Sequence, residues 1–393
     1  MAIDFYKAKV DKVLMFFLVA SFNFYQIVGV DLKVFQYIHI LIFGWLIYVA
    51  LFNKKRIPGQ CCSKTILVLM HLPLLSVYSC NVINGQSVGL SLIVYRMHLG
   101  WLIFFYLCKQ QVPLPNILKT IFVVGMGYAL ITLVQQVTYP ITPFGTRAVG
   151  SAYSDFFSGG VEKRMGFYRF SVGGLYYGVL AFFFVLVSFR LPHKRLLLVI
   201  LGASIVACGN RQTMFSVFVS VVYYYLFSKN VKNKYLILVM LLIVVFFLYV
   251  SADAIFGKLV NIEGDLEDGR MPSYIFYWDK ITDSPLAFLL GNGLPNSASS
   301  YGQQIDVYDN FRVTPSDIGI VGTMYYWGGI YVVAYLVAAI KWLKDGRLPI
   351  LYKAIILSFL LCCPIAGFLW EIDGFMLQGI IFYLCDANVR LKV

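Results

Sequence analysis

Residues 252–316 read ADAIFGKLVNIEGDLEDGRMPSYIFYWDKITDSPLAFLLGNGLPNSASSYGQQIDVYDNFRVTPS. This is the one long polar segment in a chain that otherwise runs from one apolar stretch to the next. It carries nine acids, four bases, two turns rich in Asp and Gly and a cluster of aromatics. With Asp317 just after it, it holds ten of the 19 Asp and Glu residues. Connections of this length are uncommon in compact proteins, and those that persist serve as lids or binding segments. The chemistry is therefore expected beneath this segment, on the membrane face that it covers.

Working outward, the flanks decide the fold class. Of 393 residues, 60% are hydrophobic and 13% charged, more apolar surface than a soluble core of that size can hide. Spans of about 17–25 apolar residues cross a bilayer, and such spans repeat here between short polar connectors. The expectation is an all-α polytopic membrane protein: one membrane domain over 1–393 with about twelve transmembrane helices, near 13–30, 34–52, 65–80, 88–107, 118–138, 172–189, 195–209, 212–228, 235–251, 317–343, 350–370 and 374–387. The basic N-terminal MAIDFYKAKVDK precedes an apolar run with no small-residue cleavage site after Val30, so the first helix is read as uncleaved.

A net charge of +13 would suggest nucleic acid in a soluble protein. Here the bases sit mostly in connectors, which is a topology signal, and no nucleic-acid partner is expected. With twelve spans, 21 Lys and Arg fall on the side of the N-terminus, ten on the other, and Arg96 inside a span. The positive-inside rule then puts both termini in the cytoplasm and two long loops, 139–171 and 252–316, outside. The eight cysteines fall in spans or in the 54–64 connector, so no disulfide framework is expected.

Within the large loop, Gly269 and Pro272 mark a helix start, and Met271, Tyr274, Ile275, Trp278 and Ile281 recur at helical spacing. This reads as a short amphipathic helix on the membrane surface or over a cavity. Pro285, Gly291, Gly293 and Pro295 then break the chain into turns.

Among the outer bases are Arg147, Lys163, Arg164 and Arg169 in the first loop, Arg211 in the connector GNRQT, and Arg270 at the loop helix. A guanidinium offers a rigid donor fork suited to phosphate; headgroup contact and snorkelling are the alternative roles. Asp317 opens the tenth helix, either as a carboxylate favoured by the helix N-terminus or as a general base for an acceptor hydroxyl. Asp306, Tyr308, Asp309 and Asn310 suit sugar hydroxyls or solvent. Tyr274 and Trp278 suit a membrane-interface belt or stacking on sugar rings. Arg96 and His98 face the bundle interior or a watery cavity, or bond a neighbouring helix. All four histidines lie in spans or on the cytoplasmic side.

Three pieces of the chain together resemble the O-antigen polymerase and ligase family, of the Wzy and WaaL type. These are Arg164-Met165-Gly166-Phe167; Gly209-Asn210-Arg211-Gln212; and Arg270 to Trp278 followed by Leu289 to Gly293 and Asp317-Ile-Gly-Ile-Val-Gly322. The likeness covers roughly Phe144 to Ile340 in order and spacing. It implies a bundle like those of glycosyltransferases that take lipid-linked donors (GT-C-like), in a bacterial inner membrane. It also implies outer arginines that hold the diphosphate of an undecaprenyl-linked glycan, here Arg211 and Arg270 with Arg164 as a third. The family's ligases have an external His late in the loop. This chain has none there, so Asp317 or Asp309 would serve as base, and the likeness is closer to a polymerase.

Fixed cations around a diphosphate leaving group do electrostatically what a divalent metal does elsewhere. The expected reaction is a metal-independent, inverting glycosyl transfer with no cofactor. Donor and acceptor are both undecaprenyl-diphosphate-linked glycans in the lipid bilayer, with a chain-length regulator and a flippase as protein partners. A lipid-linked oligosaccharide flippase and an O-antigen ligase are the alternatives; a flippase commonly has short outer loops and two related halves, and no half repeat is visible here.

Overall fold

Local capping sets where several helices start. Asp11 accepts from the Leu14 N–H at 2.9 Å, Ser87 from the Leu90 N–H at 3.3 Å and Asn210 from the Thr213 N–H at 3.1 Å, each satisfying a donor that the first helical turn leaves open. The computed structural model describes residues 8–27, 30–53, 63–139, 141–145, 163–164, 167–168, 170, 172–188, 191–228, 270–310, 313, 315–363 and 372–390. For residues 32, 163–164, 270–271, 308–310 and 316–317 the backbone alone is described.

In chain order the elements are α1 (Lys12–Ser21), α2 (Leu32–Phe52), α3 (Ser63–Asn84), α4 (Val88–Gln110), α5 (Leu114–Thr138), β1 (Lys163–Arg164), β2 (Phe167–Tyr168), α6 (Leu175–Val187), α7 (Lys194–Ala207), α8 (Arg211–Phe227), α9 (Arg270–Thr282), α10 (Pro285–Leu290), α11 (Ser300–Asn310), α12 (Gly319–Lys344), α13 (Ile350–Cys362) and α14 (Ile372–Arg390). Among the described residues the protein is helical, with one two-residue antiparallel hairpin, β1–β2, and five helices are long and apolar enough to cross a membrane: α2 from Lys33, α3, α4, α5 and α12. Helices α1, α6 and α13 are apolar but shorter. The expected span at 235–251 lies outside the described residues.

The first expected span stops early, and the chain shows why. Ser21 donates its hydroxyl back to the Leu18 carbonyl at 2.7 Å, and Asn23, Phe24, Tyr25 and Gln26 all take φ between 52° and 60°. Four left-handed residues in succession cannot continue a right-handed helix. The turn is held against α5 by Tyr25, whose hydroxyl donates to the Val124 carbonyl at 2.9 Å. Helix α3 also bends, at Pro73, where no N–H is available to continue the ladder. Helix α4 tightens into a 3₁₀ turn from Arg96 to Trp101.

Helix α14 is the centre of the bundle. From Ile372 to Val389 every residue but the half-buried Asp373 is buried, as its sequence FMLQGIIFYLC, without a polar face, requires. It packs on the 3₁₀ turn and second half of α4, and on α1 and α13. Trp101 meets Phe375 at 6.2 Å and Phe382 at 5.8 Å between ring centres. Its buried Asp386 pairs with Arg390 one turn later at 2.9 Å, the kind of partner a buried carboxylate needs. At the other end of α4, the Lys109 ammonium donates to the Ala50 and Asn53 carbonyls at 2.5 and 2.9 Å, which ties off the C-terminus of α2.

Around this core, α5 packs closely on α6, with α7 laid across both, and α8 lies along α13. Outward-facing side chains are apolar: Tyr37 and Leu41 on α2, Leu75, Tyr78 and Val82 on α3, and Val333 and Val337 on α12 are all exposed. Such a surface suits hydrocarbon rather than water. The six described cysteines are buried.

Candidate functional site

The described part of the large polar segment is not an open loop. Helix α9 packs on α12 and on a 3₁₀ turn, Pro315–Ile318, that leads into α12; α10 packs on α9, α12 and the second half of α3. The buried stripe of α9 is Ser273, Tyr277 and Ile281, each one turn on from the last. The expected apolar face is therefore split. Ile281 is buried and Tyr274 half-buried against the core, while Ile275 and Trp278 turn outward, 60% and 47% exposed. The helix is tied down by Tyr277, whose hydroxyl donates to the Val313 carbonyl at 3.1 Å and whose ring meets Tyr325 edge-on at 4.7 Å.

The sharpest feature is a break in α12. Gly328 has φ 80° and ψ 165°, a conformation open in practice to glycine alone. In an unbroken helix the Tyr325 and Tyr326 carbonyls would accept from residues 329 and 330. Here they accept instead from the N–H groups of Asn292 and Gly293, at 2.6 and 3.0 Å. Gly291 makes this approach sterically feasible: a Cβ there would stand 2.5 Å from the Gly328 nitrogen and the Tyr326 oxygen.

The carbonyls of the same strand are also met. Ser79 donates to Gly291 at 2.5 Å, Asn84 to Asn292 at 3.0 Å, Tyr301 to Gly293 at 3.1 Å and Gln86 to Leu294 at 3.0 Å. Gln86 holds the rest of the turn as well, accepting from the Asn296 N–H at 2.9 Å and the Ser299 hydroxyl at 2.7 Å. With its one proton on the Gly293 carbonyl, the Tyr301 hydroxyl accepts from the Tyr325 hydroxyl 3.0 Å away. Burial pushes the Tyr301 phenol well above its ordinary value, with the neighbouring Tyr325 adding to the effect, so it stays a neutral donor. Residues 291–293 are thus buried with their backbone satisfied, as burial demands.

Neither a family model nor a curated protein matches this chain. Its functional residues must therefore be weighed on geometry. Arg270 opens α9, Asp317 sits in the 3₁₀ turn against which α9 packs, and Tyr308, Asp309 and Asn310 form the last turn of α11; the side chains of these five lie outside the described residues. Packing brings the elements carrying Arg270, Tyr274, Trp278 and Asp317 together.

Arg211 stands apart from that group. It opens α8 with its side chain exposed, and α8 packs mainly on α13. Gln212 donates to the Leu361 carbonyl, and the Ser216 hydroxyl lies 3.0 Å from the Cys362 sulfur. Arg164 lies in β1, beside Phe167 of β2; its side chain is also outside the described residues. The hairpin rests on the end of α5, where Gln136 exchanges two hydrogen bonds with the Tyr168 backbone at 2.6 and 2.9 Å.

His98 does not make the interhelical hydrogen bond weighed from the sequence. It is fully buried, both ring nitrogens lack a hydrogen bond of normal geometry, and its contacts are with rings: Tyr95 stacked at 5.0 Å, Trp327 edge-on at 4.2 Å and Phe375 at 4.2 Å. Sequence reading missed Ser79, Asn84, Gln86, Tyr301 and Tyr325, which fix the inserted strand. The signal available was Gly291-Asn292-Gly293 between Pro285 and Pro295, two flexible positions framed by two rigid ones.

Proposed function

We propose that this protein is a membrane glycosyltransferase that polymerises undecaprenyl-diphosphate-linked oligosaccharide repeat units, extending a lipid-linked glycan by attack of a second unit's terminal sugar. Arg211 and Arg270, with Arg164, meet the diphosphate charge; Asp317 or Asp309 takes the proton of the attacking hydroxyl; Tyr274, Trp278, Tyr308 and Asn310 contact sugar. Donor and acceptor are both lipid-borne, and both would approach from the outer face of a bacterial inner membrane.

The observation that carries this reading is the pairing of a folded polar segment with an exposed arginine at the same end of an apolar bundle. The short turn from α12 to α13 reverses the chain, and Gln212 touches Leu361 near the end of α13; Arg211 and the start of α12 therefore share one end. An exposed guanidinium at that end of the bundle is suited to the phosphates of a lipid-linked donor.

The test is reconstitution of the purified protein in vesicles with a lipid-diphosphate-linked repeat unit, read by glycan laddering on a gel with and without chelator. A ladder that survives chelation supports the proposal. Labelled lipid that crosses the bilayer without laddering overturns it in favour of a flippase.

A further inference from the structure

The six residues Pro285–Leu290, PLAFLL, contain no polar side chain, although they belong to the most polar segment of the chain. Ser284 caps them, accepting from the Leu286 N–H at 3.2 Å with Pro285 in the first helical position. One face of this short helix is spent on the protein: Ala287 is buried and Leu286 and Leu290 are half-buried. The other face is not, since Phe288 is 41% and Leu289 47% exposed.

The depth of the segment follows from its attachments. Gly291 is bonded to Ser79, five residues before the end of α3, and Asn292 and Gly293 to Tyr325 and Tyr326, six and seven residues into α12. At ~1.5 Å per residue these points lie about 8 Å and 9–11 Å inside the helix ends. Both helices are long and apolar enough to cross a membrane. Irregular backbone at membrane depth is tolerated where it is buried in protein and bonded, and Gly291, Asn292 and Gly293 are buried with both N–H and carbonyl groups hydrogen-bonded.

We infer that α10 and the strand after it form a re-entrant hairpin, with Phe288 and Leu289 in contact with the acyl chains of the bilayer. The occupant is hydrocarbon because the two helices on which α10 packs, both long and apolar enough to cross a membrane, also expose apolar side chains, Tyr78 and Val82 on α3 and Ile330 and Val333 on α12. The polar end of α9, with Lys280 and Asp283 both at least half exposed and 3.9 Å apart, marks the water boundary from which the chain dips. Trp278, one turn earlier, is placed for the interface. The segment is then an integral part of the membrane domain rather than a soluble cover, and this holds whatever reaction the protein carries out.

The experiment places the photo-reactive residue p-benzoylphenylalanine at position 288 or 289 of the full chain, in vesicles of phosphatidylethanolamine and phosphatidylglycerol. After irradiation, adducts are identified by mass spectrometry, with the exposed positions Ser297 and Gln303 as controls. Lipid adducts at 288 and 289 and none at 297 and 303 are expected. In parallel, L289C should resist a membrane-impermeant maleimide that labels S297C, at least tenfold more slowly. Absence of lipid adducts at both inner positions, or labelling of L289C as fast as S297C, overturns the inference.

Discussion

The substitution Gly328→Ala probes the joint between the polar segment and the bundle. An added Cβ would meet the Leu290 carbonyl carbon at 2.5 Å and the Leu289 oxygen closer still, and both belong to backbone that cannot swing aside. The native φ of 80° with ψ 165° is a conformation that costs a residue other than glycine about 1–3 kcal/mol. Relief by closing the helix would turn the Tyr325 and Tyr326 carbonyls away from Asn292 and Gly293, at roughly 1 kcal/mol for each hydrogen bond lost. By either route the expected destabilisation is about 1–3 kcal/mol. Trp327, the neighbouring residue, is buried and contributes to intrinsic-fluorescence unfolding curves in detergent. Gly44→Ala is the control, since its Cβ would meet nothing within 4 Å. An unfolding midpoint for Gly328→Ala equal to that of wild type would refute the account of the break.

Gln86→Leu removes a side chain with 1% exposure that makes four hydrogen bonds; about 1–3 kcal/mol is at stake for each buried group left unpaired. Faster limited proteolysis between 291 and 303, with α5 and α6 unaffected, is the expected readout. Tyr301→Phe deletes the hydroxyl that bonds Gly293 and Tyr325 and should lower the unfolding midpoint by less than Gln86→Leu does. On the proposed reaction, Arg211→Ala should reduce laddering by about 10²–10³-fold, the usual loss for one fixed charge-stabilising donor, with unchanged membrane accumulation; Arg211→Lys should recover part of it. Asp317→Asn should abolish laddering while leaving lipid binding intact, and normal polymer from that variant would exclude Asp317 as the base.

The bundle was legible because its determinants are local. Apolar runs such as 34–52 and 118–138 fell within a few residues of α2 and α5, and the caps at Asp11, Ser87 and Asn210 are written in the sequence. What failed was anything that depends on partners distant in the chain. Helical spacing assigns the stripe of α9 to Met271, Tyr274, Ile275, Trp278 and Ile281, yet of these Ile275 and Trp278 are exposed, and the buried positions are Ser273, Tyr277 and Ile281. Periodicity finds an apolar face; it does not say whether protein or lipid covers it. Likewise Gly328 sits inside an apolar run that reads as one helix, and only Gly291, 37 residues earlier, gives it a reason to break. The candidate arginines and acids are read as residue types on the side of the membrane that the charge bias makes the outer one, while the polar side chains that hold residues 292 and 294 come from the α3–α4 turn, some 200 residues away.

The burial of α14 has a consequence for biosynthesis. Its principal partners on α4 and α1 precede it by more than 250 residues, so the ring of helices is made before the rod that fills it. At ~5–20 residues per second, the interval between synthesis of Trp101 and synthesis of Phe375 is about 14–55 s. Through that time the faces of Trp101 and Phe104 that will meet α14 must be covered by lipid or by a chaperone. The bundle closes only when its central helix arrives, which makes the order of synthesis and the order of packing opposite.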